Sequence, residues 1–319
     1  MKTRTAISLG LILRQLVCVA SMLCSMGLAQ AAAVVIVASD RSTGYGEVRD
    51  VLVSELERSP TLRGNVGVRS VSEWTPADTA LLGHSRVVIA LGRDALIQVL
   101  ASNVQVPVIA AMIPRAVFEG VIGDAAKKPS SPLTALYLDH PVGRQLDLLK
   151  LALPDARKVG VLWGRDSVSH QRQLAAAAQA RGLELASGSV GPDGAIFAGL
   201  KAALDEADVL LAIADPQVFN SANISNILLT TYRARVPVMA FSPAYVRAGA
   251  LLSLYTTPSQ IGVQAAAMAK TVVQGAPLPV PQYPVEYVVG VNAYVARSLE
   301  LVLDGASLAE RLHRLEKRP

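Results

Sequence analysis

Short runs of β-branched and aliphatic residues alternate along this chain with longer stretches whose apolar positions recur every three to four residues. The first pair is an apolar run at 33–39 followed by a helical pattern at 46–58. Further strands are predicted at 66–71, 86–91, 106–112 and 133–138, each followed by a helix or turn, which makes a first doubly wound sheet. Pro107 stands at the start of its strand, where a missing amide hydrogen is tolerated. Asp139-His140-Pro141 then breaks the pattern, and a helix at 142–153 leads into a second series. Its strands are predicted at 158–163, 182–187, 208–214, 236–241 and 250–255, with helices near 169–181, 195–207 and 221–235. Five strands per unit is a credible sheet. Thr256-Thr257-Pro258-Ser259-Gln260 supplies a helix start, and the helix runs to Gln274 before Gly275 stops it. The proline-rich stretch 277–284 reads as an extended connector, and 308–319 as an amphipathic surface helix or frayed tail.

The amino terminus follows a different pattern. Lys2, Arg4 and Arg14 precede an apolar run at 16–28 that ends in Ala29-Gln30-Ala31, the layout of a cleavable secretory signal. A signal anchor is the alternative, against which stands an apolar core of about 13 residues, too short to span a bilayer as a helix. Cys18 and Cys24 lie in this run without the preceding pattern that a lipoprotein signal needs, so a soluble, periplasmic product is expected. Cleavage after Ala31 removes the chain's 2 cysteines, leaving neither a disulfide nor a thiolate metal ligand. It also removes three basic residues, so the formal charge falls from +5 to +2 and nucleic acid is not an expected partner.

Composition then sets the architecture. The roughly 288 residues that follow the signal are near the size at which one core splits into two. With 51% hydrophobic but only 4% aromatic residues, the interior must be built from Val, Leu, Ile and Ala, as in buried parallel strands between alanine-rich helices. The fold class is therefore α/β.

Five segments carry a family resemblance: Leu153-Pro-Asp-Ala-Arg-Lys-Val-Gly-Val-Leu162, Ala212-Ile-Ala-Asp-Pro216, Arg235-Val-Pro-Val-Met-Ala-Phe-Ser242, Val246-Arg-Ala-Gly-Ala-Leu251 and Thr257-Pro-Ser-Gln-Ile-Gly262. Across residues 34–292 their order and spacing resemble the substrate-binding proteins of ABC transporters, of the type I periplasmic fold shared by ribose-type and aromatic amino acid binders. The resemblance implies two Rossmann-like lobes with parallel sheets, joined by three crossovers near Asp139, Tyr255 and Tyr283. The lobes would comprise 32–138 with 256–282, and 139–255 with 283–300, leaving 1–31 as signal and 301–319 as a tail. It implies a monomer that closes on a small-molecule solute and delivers it to a permease, without cofactor, metal or catalysis. A ligand sensor docking on a receptor kinase or another envelope partner is the alternative, and neighbouring genes would separate the two.

Open parallel sheets bind ligands beyond the carboxyl ends of their strands, where loops and helix amino termini offer free donors. That rule selects Ser39, Asp40, Gly92, Arg93, Met112 and Ile113 in the first lobe, and Trp163, Asp215, Phe241 and Ser242 in the second. Asp139 and Tyr255, at the implied crossovers, complete the set. Arg93 could pair with a carboxylate or phosphate, or point to solvent. Asp215 could hold an amine or hydroxyl, where the family places a polar contact, or cap the helix that follows. Phe241 and Trp163 could stack on a ring or pack between elements. After Phe241 many relatives carry an acid where this chain has Ser242. His170 and Arg172 open a helix that faces the cleft in the family, or lie on a solvated face. His84, His140 and His313 have no partner at metal spacing. A hydrolase would need a Gly-x-Ser-x-Gly elbow, which the sequence lacks. A dinucleotide enzyme is disfavoured by Arg41 and a missing third glycine in Ser39–Gly46.

Overall fold

The computed structural model describes residues 32–124, 130–191 and 193–317, so the expected signal at 1–31 lies outside the described residues. β1 (Val34–Ala38), β2 (Val66–Ser70), β3 (Val87–Leu91), β4 (Val108–Ile113) and β5 (Leu133–Tyr137) form one parallel sheet in the order β2-β1-β3-β4-β5. Every residue of β1 and β3 is buried, because helices cover both faces. That is why these strands read as unbroken apolar runs and not as alternations. One face packs Ile36, Ile89 and Leu136 against the helix Thr43–Glu57, and the other packs Val37, Ala90 and Ile113 against the helix Arg93–Ala101.

A second sheet has six strands: β6 (Lys158–Trp163), β7 (Glu184–Ser189), β8 (Val209–Leu211), β9 (Val238–Ala240), β10 (Leu252–Tyr255) and β11 (Val288–Val291), in the order β11-β10-β9-β8-β6-β7. The expectation of five parallel strands here is corrected by β11, which pairs antiparallel with β10. It forms where the chain returns for the last time and finds a strand edge open. Along β6, Val159, Val161 and Trp163 point into one core and Leu162 into the other, the two-residue period of a strand packed on both faces.

Three passages join the sheets. The first, Asp139-His140-Pro141, leads from β5 to the helix Val142–Ala152. The second leaves β10 through Thr256-Thr257 into the helix Pro258–Val273, whose Ile261, Ala265 and Ala269 return to the first lobe's core. Thr257 and Gln260 close a capping box there, with Pro258 in the first turn, as that sequence signature predicts. In the third, the extended segment lies beside β5, where Gln282 exchanges backbone hydrogen bonds with Ala135 and Tyr137, before β11 joins the second sheet. The carboxyl-terminal segment is a helix, Gly305–Glu316, with Leu308 and Leu312 buried in the second lobe's core. No helix among the described residues is long and apolar enough to cross a membrane.

The second lobe depends on one very close approach. A Cβ added at Gly188 of β7 would lie 1.8 Å from the carbonyl oxygen of Gly199, and one added at Gly199 would lie 2.1 Å from that of Ser189. The helix Phe197–Leu204 therefore rests backbone to backbone on the sheet. Gly199→Ala should destabilise this lobe by at least about 1–3 kcal/mol, the range for an overpacked core. Denaturant unfolding checks this, and an unchanged midpoint would show that helix and sheet can separate freely.

Candidate functional site

The two sheets present the carboxyl ends of their strands to one another across a cavity of about 440 Å³. The first lobe contributes Pro114 after β4 and Leu138 and Asp139 after β5. The second contributes Ala214 and Asp215 after β8, Phe241 and Ser242 after β9, and Leu254 and Tyr255 at the end of β10. A small extension of about 50 Å³ continues past Asp139 and His140 toward Arg115, His170 and Tyr283. The main wall is chiefly apolar and aromatic. Phe241 meets Phe219 and Tyr245 edge to face, with ring centroids 6.1 and 5.0 Å apart, which fixes the ring that faces the cavity.

Five of the residues selected from the sequence, Asp139, Asp215, Phe241, Ser242 and Tyr255, come together on this wall. Ser242 also caps the helix Pro243–Ala248, its oxygen accepting the amide of Ala244. The others lie elsewhere. Trp163 is only 1% exposed in the second lobe's core and its indole N–H donates to Ser187, so it offers no ring face to a ligand. Ile113 is fully buried, and Met112, at φ 57°, packs on the other face of the first sheet at an irregularity in β4. Arg93 is exposed at the start of its helix, with Asp94 as its neighbour at 3.9 Å, and Asp40 is exposed and accepts the amide of Ser42.

The points where strand order reverses are filled by the protein itself. Between β1 and β3, the Ser39 hydroxyl donates to the Leu91 carbonyl at 2.9 Å and accepts the Ala95 amide at 3.0 Å. The Tyr45 hydroxyl occupies the space beside Gly92, where an added Cβ would lie 2.3 Å away. Between β6 and β8, Asp215 does the same work: Oδ2 accepts the amide and hydroxyl of Ser167 at 2.9 and 2.8 Å, and Oδ1 accepts the Gln217 amide at 2.9 Å. Gly164 admits this carboxylate, since a Cβ there would fall 2.5 Å from Oδ2. Asp215 is 1% exposed and acts as a tie between loops.

Asp139 differs. Its Oδ1 accepts the Arg115 amide at 2.7 Å, and no hydrogen bond from a described residue reaches Oδ2. Burial pushes its pKa up, opposed by the backbone amides of Arg115 and of Asp139 itself and by the nearby His170 and Arg115 side chains. The Arg115 guanidinium itself is taken by Glu119 at 2.6 Å and by the Tyr283 hydroxyl at 3.1 Å, both of which raise its pKa. His170 lies across the gap with Nε2 3.6 Å from Glu119, the contact between lobes at this end. Arg172 is exposed.

Sequence reasoning missed how the three passages are tied together. His140, buried at 4% exposure, links all three passages: its Nε2 lies 3.3 Å from the Thr256 hydroxyl, which in turn donates to the Glu286 carbonyl at 3.1 Å. Its Nδ1 faces Arg144 at 3.1 Å. Arg144 also donates to the Pro284 carbonyl at 2.7 Å, pairs with Glu316 at 2.5 Å and sits over the Tyr287 ring at 4.6 Å. Burial, with Arg144 beside it, lowers the His140 pKa to about 3, so the ring is neutral and Nε2 carries its proton toward Thr256. The break at Asp139-His140-Pro141 was the available signal, but partners so distant in sequence cannot be read from it.

Comparison with known proteins agrees with this architecture. Among solved structures, a conserved domain protein from Vibrio cholerae O1 biovar eltor shares 20% identity at a TM-score of 0.61, covering 88% of this chain and 98% of that one. A ligand-free, open substrate-binding protein with adhesive properties from Clostridium difficile shares 16% at 0.66, covering 85% and 95%. An ABC domain from Streptococcus pneumonia, in complex with L-Trp, shares 17% at 0.59, covering 87% and 98%. At these identities the likeness is one of fold. A search of curated protein sequences returned no match. The model of the ABC transporter substrate binding protein family matches residues 80–302, well over half of the sequence, and the chain belongs to that family.

Proposed function

We propose that this chain captures a small solute between its two lobes, outside the cytoplasmic membrane, and hands it to the permease of an ABC transporter. The observation that carries this reading is the cavity of about 440 Å³, walled from both lobes by strand ends and set against three passages that can act as a hinge. Its size suits a metabolite-sized ligand. The relative solved with L-Trp supports a small-molecule ligand for the shared fold. Of the residues selected from the sequence, Asp139, Phe241, Ser242 and Tyr255 are the proposed contacts. Asp215 borders the cavity with its carboxylate already occupied, so its role is to hold the loops that carry them. The monomer works by lobe closure, and a solute drives closure only by the extent to which it prefers the closed form. Binding without chemical conversion is the proposed role, and it is supported by Asp215, a carboxylate consumed by three hydrogen bonds.

A thermal-shift screen of the purified protein tests this. A bound solute at about 100 times its dissociation constant should stabilise by roughly 2.7 kcal/mol. Phe241→Ala should weaken that solute by roughly tenfold or more, since it removes the ring fixed against Phe219 and Tyr245. Deleting the gene should abolish uptake of the same solute. Normal uptake with a lost transcriptional response would point to a sensor, and no shift with any solute class would exclude capture of small molecules.

A further inference from the structure

We propose that the cavity selects a solute whose charged end is cationic, with Asp139 as its counter-charge and the Phe241 and Tyr255 rings holding an apolar body. This rests on the solute-binding reading and adds the ligand's chemical class. The lining residues of the 440 Å³ cavity include two carboxylates, Asp139 and Asp215, and neither lysine nor arginine. Asp215 is satisfied by three donors, so it neither needs nor readily admits another. The nearest cation, Arg115, lies in the small extension and is paired with Glu119. That pairing leaves Asp139 as the carboxylate of the cavity lining that is not saturated by donors, its Oδ1 accepting the Arg115 amide.

A half-buried carboxylate with an unsaturated oxygen gains from a cationic donor that reaches it. A protonated amine would supply both the charge and a donor for Oδ2, and aromatic rings beside it favour a cation further. His140, also on the wall, is neutral and cannot receive an acid as an ion pair. An anionic ligand would instead meet two carboxylates across an apolar space, where repulsion is poorly screened. A sugar would find few free polar groups for its hydroxyls, and burying them unpaired weakens binding.

Calorimetric titration of the purified protein with matched probes separates these cases. The set is 2-phenylethylamine and tyramine, the corresponding zwitterions phenylalanine and tyrosine, the acid 3-phenylpropionate, and glucose. The amines should bind at least as tightly as the zwitterions and at least tenfold more tightly than the acid, with glucose not bound. Asp139→Asn keeps the acceptor for the Arg115 amide and removes the charge. It should cost the amines tenfold or more while the unliganded variant melts no lower than the parent, a combination that misfolding cannot produce. Binding of the acid as tightly as the amines, binding of zwitterions but not amines, binding of glucose alone, or full amine affinity in Asp139→Asn would each overturn the proposal and leave solute capture standing. If none of the probes binds and the wider screen is also silent, solute capture and this inference fall together.

Discussion

Asp215→Ala is expected to lower folding stability by about 3–5 kcal/mol, because the substitution orphans buried donors that have nowhere else to turn. The amide and hydroxyl of Ser167 and the amide of Gln217 all converge on this carboxylate, in a place where Gly164 leaves just enough room for it. Hydrogen bonds to a charged acceptor are each worth about 1.5–3 kcal/mol, and part of the loss is recovered if water enters the space left behind. Asp215→Asn should cost less, since one oxygen survives, yet its amide N–H₂ would face the remaining donors. Urea unfolding of parent and variants measures this, with the melting temperature falling by roughly 10 °C for the alanine variant. A loss below about 1 kcal/mol at unchanged slope would mean that the loops after β6 and β8 are held by other contacts. The distinction bears on function. Asp215 matches the family motif at a strand end and looks from the sequence like a ligand contact, and its three bonds to Ser167 and Gln217 support the proposal that it braces the loops after β6 and β8.

Ten of the eleven strands were legible: those covered on both faces, such as β1 and β3, read as unbroken aliphatic runs, whereas the more exposed β2 and β7 carry Arg69 and Glu184 among their apolar residues. β11 was not, since Val288-Val-Gly-Val291 follows a proline-rich segment and has only one neighbour, on an edge. The site was half legible. Strand-end geometry led to Phe241 and Ser242, and the crossovers implied by the family resemblance led to Asp139 and Tyr255, but the strand-end rule gives equal weight to every strand end, whereas only some of them line the cavity. Ser39 and Gly92 occupy a reversal point that Tyr45 closes from within, which no local pattern announces. Trp163 could have been placed correctly, because it shares the inward period of Val159 and Val161. Arg115 and Glu119 stand four apart on a helix in an ordinary surface spacing, and their importance comes from what they leave unpaired.

Acid is expected to weaken this protein through His140 before the carboxylates whose pKa values are lowered in the folded chain begin to titrate. The ring has a pKa of about 3 in the folded chain against 6.5 for the ordinary side chain, so between these values the unfolded state binds the extra proton and stability falls as pH falls. Above the ordinary value both states are neutral and the contribution is complete. Below it the loss grows by about 1.4 kcal/mol per pH unit, reaching about 2 kcal/mol at pH 5. The structural cause is plain: burial disfavours the charged ring first, and Arg144, 3.1 Å from Nδ1, adds the repulsion of a second cation. Asp78 and Asp208, whose pKa values are lowered by their hydrogen bonds, also lose stability in acid, but only as pH falls below the ordinary carboxylate range. His140→Gln removes the titrating ring while keeping a donor and an acceptor, so its stability should change by about 2 kcal/mol less than the parent's between pH 7 and pH 5. Parallel pH profiles for the two proteins would show that the junction accommodates the charged ring. Because His140, Thr256 and Glu286 lie on the three separate passages between the lobes, a proton that breaks this chain should loosen the hinge first. Amide exchange at Thr256 and Tyr287 should therefore rise at pH 5 in the parent, and not in His140→Gln, while the sheets remain protected.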